Sequence, residues 1–193
     1  MILTRIDPVL AGIERFTTRR MIAERLTSAH YPEIRRLHLL PQVMKTFSPG
    51  GQILLDNVTK DGLVENDAHW AEHGFGYWIF QAREGAQFLG RGGLKWCTID
   101  DQDVVGLAYA VIFDHWNCGL ATEMAAASLR IGFEQLALPE VASWTLPFNV
   151  ASQRVMEKLG FRYETDIVFA GLPHRLYRLT ATDWQMDRGL RTA

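Results

Sequence analysis

The spacing of apolar residues changes along the chain, and the changes mark its elements. Residues 105–113 form an unbroken apolar run, β-branched or aromatic at several positions and closed by polar residues. Such a run predicts a buried strand. From 120 to 137 the spacing becomes helical: Leu129, Phe133 and Leu136 make one stripe, and Leu120, Met124, Ala127 and Ile131 make a second, with no proline between them. Two stripes predict a helix buried over much of its surface. Between strand and helix lies the turn Trp116-Asn117-Cys118-Gly119-Leu120-Ala121.

The flanking segments read in the same way. Residues 20–26 predict a first strand, and 32–38 a short helix with Pro32 in its first turn. Ser48-Pro49-Gly50-Gly51 marks a turn, and 56–73 a helix that stops before Gly74. Residues 76–81 and 87–95 predict two strands joined through Arg83-Glu84-Gly85, and 141–146 a strand stopped by Pro147. Asn149 suits the cap of a short helix over 151–159. Gly160 stands at its left-handed C-terminal position, with Phe161 placed to fold back on Val155 or Met156. Two last strands, 163–169 and 174–179, follow, joined by Gly171-Leu172-Pro173. The expectation is one mixed α/β domain over 1–193, with its core at about 17–180. The central strand and the strand at 141–146 run parallel in it because a helix links them.

A strand, a glycine-containing turn and a helix can make an anion site. The first helical amides have no partner within the helix, and the helix dipole adds partial positive charge at that end. Gly119 permits close approach of a ligand, and Ala121 leaves room beside it. A phosphate or pyrophosphate is the natural occupant, although many such turns bind nothing.

Composition narrows the classes. A chain of 193 residues, 48% apolar and 22% charged, can bury a real core as a globular domain. A net charge of −2 supplies no basic footprint for nucleic acid. The opening is basic (Arg5, Arg15, Arg19, Arg20, Arg25, Arg35, Arg36, Lys45) and the middle acidic (Asp56, Asp61, Glu65, Asp67, Glu72, Glu84, Asp100, Asp101, Asp103). The acidic residues are either an electrostatic mouth for a cationic amine or solvated loops. Cys97 and Cys118 make neither a disulfide framework nor a metal set. His69 and His73, four apart, can share a helix face, yet no third metal ligand is evident, and no metal is expected. Trp78, Trp96 and Trp144 read as core rather than as a substrate platform. No apolar run reaches membrane length, and Arg5, Asp7 and Glu14 interrupt the beginning of the chain. A cytoplasmic location, away from membranes, is expected.

Several motifs in order carry a resemblance. Asn149-Val150-Ala151-Ser152, followed by Val155-Met156-Glu157-Lys158-Leu159-Gly160-Phe161, resembles the signature of the GNAT acetyltransferase superfamily, in its ribosomal-protein N-terminal acetyltransferase-like branch. His69 through Gly76, Phe88-Leu89-Gly90 with Gly93-Leu94, Trp116 through Glu123, the strand near Thr18 and Tyr177-Arg178-Leu179 extend the likeness over most of the chain. The resemblance implies the GNAT-type fold, a mostly antiparallel mixed sheet with one splayed parallel pair flanked by helices. It also implies acetyl-CoA as co-substrate. Its pantetheine would lie along Ala110, Val111 and Ile112, and its pyrophosphate against the turn Trp116, Asn117, Cys118, Gly119, Leu120, Ala121 and Thr122. Asn149 and Ser152 would sit near the arm, and Arg154 or Lys158 near the adenosine phosphate or simply in solvent.

Acetyl transfer to an amine needs the ammonium deprotonated, the thioester oxygen stabilised and the leaving thiolate protonated. By resemblance, Ser152 is the candidate proton donor, with a hydrogen-bonding role at the helix start as the alternative, and Tyr163 is a second candidate. The branch often carries a glutamate three positions before the tyrosine matched by Tyr109; here that position is Gly106. Asp103, acting through water, is the candidate base. Asn117 and Cys118 depart from a frequent glycine and a frequent Arg or Lys. The expected function is an N-acetyltransferase that moves acetyl directly, in a ternary complex, to a small-molecule amine or a protein N-terminus. A CoA-binding or partner-binding module without catalysis is the alternative, and dimerisation stays open.

Overall fold

The computed structural model describes residues 12–46 and 49–191. The elements run β1 (Arg15–Thr17), β2 (Met21–Arg25), α1 (Tyr31–His38), α2 (Pro41–Met44), α3 (Asp56–His73), β3 (Tyr77–Ala82), β4 (Phe88–Ile99) and β5 (Gln102–Val111). There follow α4 (Leu120–Arg130), β6 (Glu140–Thr145), α5 (Val150–Lys158), β7 (Arg162–Phe169), β8 (Leu172–Thr180) and α6 (Ala181–Arg191). Ser48 of the predicted turn, with Arg5 and Asp7, lies outside the described residues.

The eight strands form one sheet in the order β1-β2-β3-β4-β5-β6-β8-β7. Every neighbouring pair is antiparallel except β5 and β6, which run parallel and meet at a single register pair, Gly106 with Ala142. Beyond that pair the two strands part. β4 and β5, by contrast, pair continuously from Gly90 with Val111 to Ile99 with Gln102. Their two-residue turn, Asp100-Asp101, has both residues at positive φ, the twist a tight hairpin requires. β4 therefore runs to Ile99, past the predicted end at 95.

α4 covers one face. Met124, Ala125 and Leu129 are fully buried in a core with Met21, Trp78, Phe80, Leu94, Val141, Met156 and Leu179. Burial of each large apolar side chain contributes about 1.5–3 kcal/mol. The predicted helix over 120–137 ends earlier as regular α: Ile131–Gln135 is a π turn, closed by the Leu136 amide on the Ile131 carbonyl at 3.0 Å. Gly132 fits there because a Cβ would lie 2.8 Å from Leu94 Cδ1, so the helix sits close on β4.

The opposite face is covered at both ends and open between. On one side α1, α2 and α3 bring Ile34, Leu37, Val43 and Leu63 onto Ile79, Phe88, Ala110 and Ile112. On the other, Ile99, Val104, Ala142, Ile167 and Leu176 make a smaller cluster bordered by Cys97, Trp144 and Phe169.

α6 was not expected. Its start carries a reciprocal cap: the Asp183 amide donates to Thr180 Oγ1 at 3.1 Å, and that hydroxyl donates to Asp183 Oδ2 at 2.9 Å. Trp184 stacks on Phe133, ring centroids 5.6 Å apart. Among the described residues no helix is long and apolar enough to cross a membrane.

Candidate active site

Two hollows border β5 where it parts from β6. The first, of about 530 Å³, is bordered by Ala110 and Val111 of β5, the loop and first turn of α4, and the start of α5. The second, of about 550 Å³, lies on the open face between the two apolar clusters. Thr46, Tyr109, Asn149 and Ser152 line both, so the hollows meet at these four residues.

The α4 loop is built to present amides. Asn117 (φ 60°) and Gly119 (φ 75°) are both left-handed, and Gly119 is the N-cap. The first amide with an acceptor inside the helix is that of Glu123, 3.1 Å from the Gly119 carbonyl. Those of Leu120, Ala121 and Thr122 precede it and face the first hollow's side of the helix end. Arg20 and Glu123 brace the loop from beneath. Arg20 Nε donates to Glu123 Oε2 at 2.7 Å, its Nη1 to the Cys118 carbonyl at 2.7 Å, and its amide to Glu123 Oε1 at 2.9 Å. Thr18 Oγ1 adds a 2.7 Å bond to Glu123 Oε1. Burial pushes the Glu123 carboxyl up, but these donors together bring it below its ordinary value.

Asn149 caps α5 as expected, its Oδ1 accepting the Ser152 amide at 3.2 Å. Gly160 (φ 88°) ends the helix, and the Phe161 amide folds back to the Met156 carbonyl at 3.1 Å. The cap holds Ser152 at the junction. Tyr109 Oη lies 3.0 Å from Ser152 Oγ and donates to the Ser152 carbonyl at 3.1 Å. Burial drives the Tyr109 hydroxyl up to about 12, with the Ser152 hydrogen bond pulling the other way, so it stays protonated across physiological pH.

Of the expected cofactor-side residues, Ala110, Val111, Trp116, Asn117, Gly119, Leu120, Ala121, Thr122, Asn149, Ser152, Arg154 and Lys158 all border the first hollow. Two do not. Ile112, just past the end of β5, is buried in the α1–α3 cluster, its amide on the Leu89 carbonyl at 2.9 Å. Cys118 contributes backbone: its carbonyl takes Arg20, and its exposed thiol bonds the Trp116 carbonyl at 3.3 Å.

Two of the three catalytic candidates lie away from the junction. Asp103 is exposed near the hairpin end of β5, its Oδ1 accepting from Thr98 Oγ1 at 2.9 Å. Tyr163, 53% exposed on the edge strand β7, packs edge-on against Tyr177. Neither borders a hollow. The place of the frequent glutamate is also accounted for. A Cβ on Gly106 would lie 2.8 Å from Trp144 Cη2 and 3.3 Å from Cys97 Sγ, so the Trp144 ring occupies that space. Trp144 is thus a wall of the second hollow as well as a partner of Phe169, 4.9 Å away. None of the nine acidic residues in the middle of the chain borders either hollow.

The histidine pair is explained by folding. His69 Nδ1 donates to the Phe75 carbonyl at 2.7 Å, and Nε2 accepts the Trp96 amide at 2.9 Å. Both nitrogens are used, and burial lowers the ring's affinity for a proton. Among the described residues no three His, Cys, Asp or Glu side chains gather as a metal site. His174, by contrast, borders the second hollow. With Nδ1 protonated it donates to the Leu172 carbonyl at 3.0 Å, and Nε2 keeps a lone pair. Sequence reading matched Tyr109 to a tyrosine of the resembled branch without giving it a role, and passed over His174 and Arg91; Arg91 left a signal, a lone charge inside the apolar, glycine-rich strand 88–94.

An eight-strand mixed sheet parted at one parallel pair, with a helix amino end and a capped short helix at the gap, defines an acyltransferase-type α/β fold. The chain belongs to the acetyltransferase (GNAT) domain family, whose model matches residues 20–162. It is similar to the uncharacterized protein YkkB of Bacillus subtilis (strain 168), 32% identical over 109 residues. That match takes in 56% of this chain and 63% of YkkB, under two thirds of the relative's length. Among solved structures, an acetyltransferase from Agrobacterium tumefaciens str. C58 superposes with a TM-score of 0.72 at 23% identity, over 86% of this chain and 94% of that one. RimL, a ribosomal L7/L12 alpha-N-protein acetyltransferase solved with coenzyme A, gives 0.67 at 12% identity, over 86% and 98%.

Proposed function

We propose that the protein transfers an acetyl group from acetyl-CoA directly to a primary amine, on a small molecule or a protein N-terminus, with both substrates bound at once. The observation that carries this reading is the junction itself: among the described residues, the two hollows share Thr46, Tyr109, Asn149 and Ser152. One hollow has the amide-rich helix end suited to a pyrophosphate, with Arg154 and Lys158 at its border. The other is walled by Trp96, Trp144 and Phe169, surfaces suited to an acceptor. A CoA-bound relative of the same fold, RimL, supports the choice of donor.

In this reading the amine nitrogen attacks the thioester carbonyl, the new C–N bond forms, and the C–S bond breaks. His174 takes the proton that the amine sheds. Cys97 and Tyr77 also border the hollow, but burial raises both and keeps them protonated, while Lys95 and Arg91 are cations. The Tyr109–Ser152 hydroxyl pair donates to the departing thiolate. Release of free thiol from acetyl-CoA, followed across a panel of amines, tests the proposal. Turnover with an amine supports it, and parallel double-reciprocal plots would count against a ternary complex.

One observation favours a second reading, a CoA-binding module without catalysis: Trp144 stands where relatives of the resembled branch carry an acid. Saturable CoA binding with no thiol release from any amine would select it.

A further inference from the structure

The second hollow has charge of one sign. Its border includes Arg91 and Lys95 and, among the described residues, no aspartate or glutamate. Arg91 and Lys95 both lie on β4 at even spacing, so they share the open face of the sheet. The Arg91 guanidinium is buried and lies 4.8 Å over the Tyr77 ring, a placement that keeps the charge fixed at the floor. Lys95 Nζ is 3.6 Å from Glu65 Oε2, but Glu65 is largely exposed and such a pair is weak. Trp96, Trp144, Phe169 and Leu172 supply apolar wall around these charges.

An alkylamine arrives as an ammonium ion. A bare ammonium meets two fixed cations here and is repelled, whereas an acceptor with its own negative group meets a complement. We infer that the acceptor is a small primary amine bearing an anionic group, carboxylate or phosphate, on the same molecule. Arg91 and Lys95 bind that group, and the aromatic wall takes the apolar remainder. A hollow of about 550 Å³ has the size of a small-molecule site. The inference rests on the acyl-transfer reading only for the amine; the anion site stands on the charges.

The test is binding to the CoA-saturated protein, measured calorimetrically, with turnover recorded separately. Phenylalanine is compared with phenethylamine and phenylalaninamide, and phosphoethanolamine with ethanolamine, so that carboxylate and phosphate sources are told apart. At least one anionic member is expected to bind 10-fold or more tightly than its matched partners. Lys95→Gln is expected to reduce that preference several-fold, and Arg91→Gln to remove it. Because Arg91 is buried, Lys95→Gln and the matched ligands carry the test should the arginine variant fail to fold. Equal or tighter binding of the purely cationic amines, or no binding by any member, overturns the inference. Tight anion-dependent binding with no turnover would sustain it and sink acyl transfer instead; turnover of cationic amines alone does the reverse.

Discussion

Tyr109 Oη and Ser152 Oγ lie 3.0 Å apart, and this contact ties the central strand to the short helix across the gap between β5 and β6. The serine is positioned by the Asn149 cap and the tyrosine by burial, so neither hydroxyl is free to wander. If the pair donates to the departing thiolate, its removal should slow chemistry more than it weakens CoA. Ser152→Ala and Tyr109→Phe are each expected to lower kcat about 100-fold or more, the scale of general acid catalysis. CoA affinity measured by calorimetry should change by less than about 3-fold. The double variant should lose little more than the worse single, because the groups act as a unit. Additive losses, or a loss confined to CoA affinity, would make the serine a helix-start residue only.

The α4 loop, the proposed pyrophosphate cradle, is braced by Arg20 and Glu123. Gly119 has space around it, with Arg20 Nη2 3.6 Å from a built Cβ; the obstacle to substitution is its φ of 75°. Gly119→Val should therefore shift the loop and weaken CoA at least 10-fold. Glu123→Gln should weaken CoA about 3- to 10-fold, since the neutral amide holds Arg20 less strongly than the carboxylate. Calorimetric titration with CoA, alongside circular dichroism to show intact folding, checks both. Unchanged affinity in the glycine variant would mean that the cradle lies elsewhere.

In the proposed reaction, His174 is the lining group that accepts the amine's proton. His174→Asn should reduce kcat/KM about 100-fold or more and leave CoA binding intact. Restoring a glutamate by Gly106→Glu should not rescue the variant, because that side chain must first displace the Trp144 ring from Phe169. Full activity of His174→Asn would remove the assignment.

What the sequence made legible follows from how local each signal is. The strand, turn and helix around Gly119, the cap at Asn149 and the helix at 56–73 are written in neighbouring residues, and the structure has them within a few positions. Sites assembled from distant segments left little trace. Trp144 fills the space over Gly106 from another strand, and Tyr109 reaches Ser152 from 43 positions away. Asp103 read as a base because it is near Gly106 in sequence, but three positions along an extended strand point to the opposite face, about 10 Å away. The missed helix at 181–191 did have a local signal, Thr180 followed three residues later by Asp183.

Acid should loosen the packing of α1 on α3. His38 is buried, its Nδ1 3.0 Å from Thr59 Oγ1, and burial together with the nearby Arg91 charge depresses the ring to about 4. The unfolded chain binds a proton near pH 6.5, so it takes up more protons than the native state in the interval between. Stability contributed by neutral His38 is therefore complete above about pH 6.5 and drains away as pH falls toward 4, by roughly 3 kcal/mol at most. Urea unfolding at pH 7.5 and pH 5 should show a marked loss in the native protein. His38→Gln, which keeps a hydrogen-bonding group but cannot charge, should lose less over the same interval, though it starts lower. An equal acid loss in both proteins would place the sensitivity on other groups.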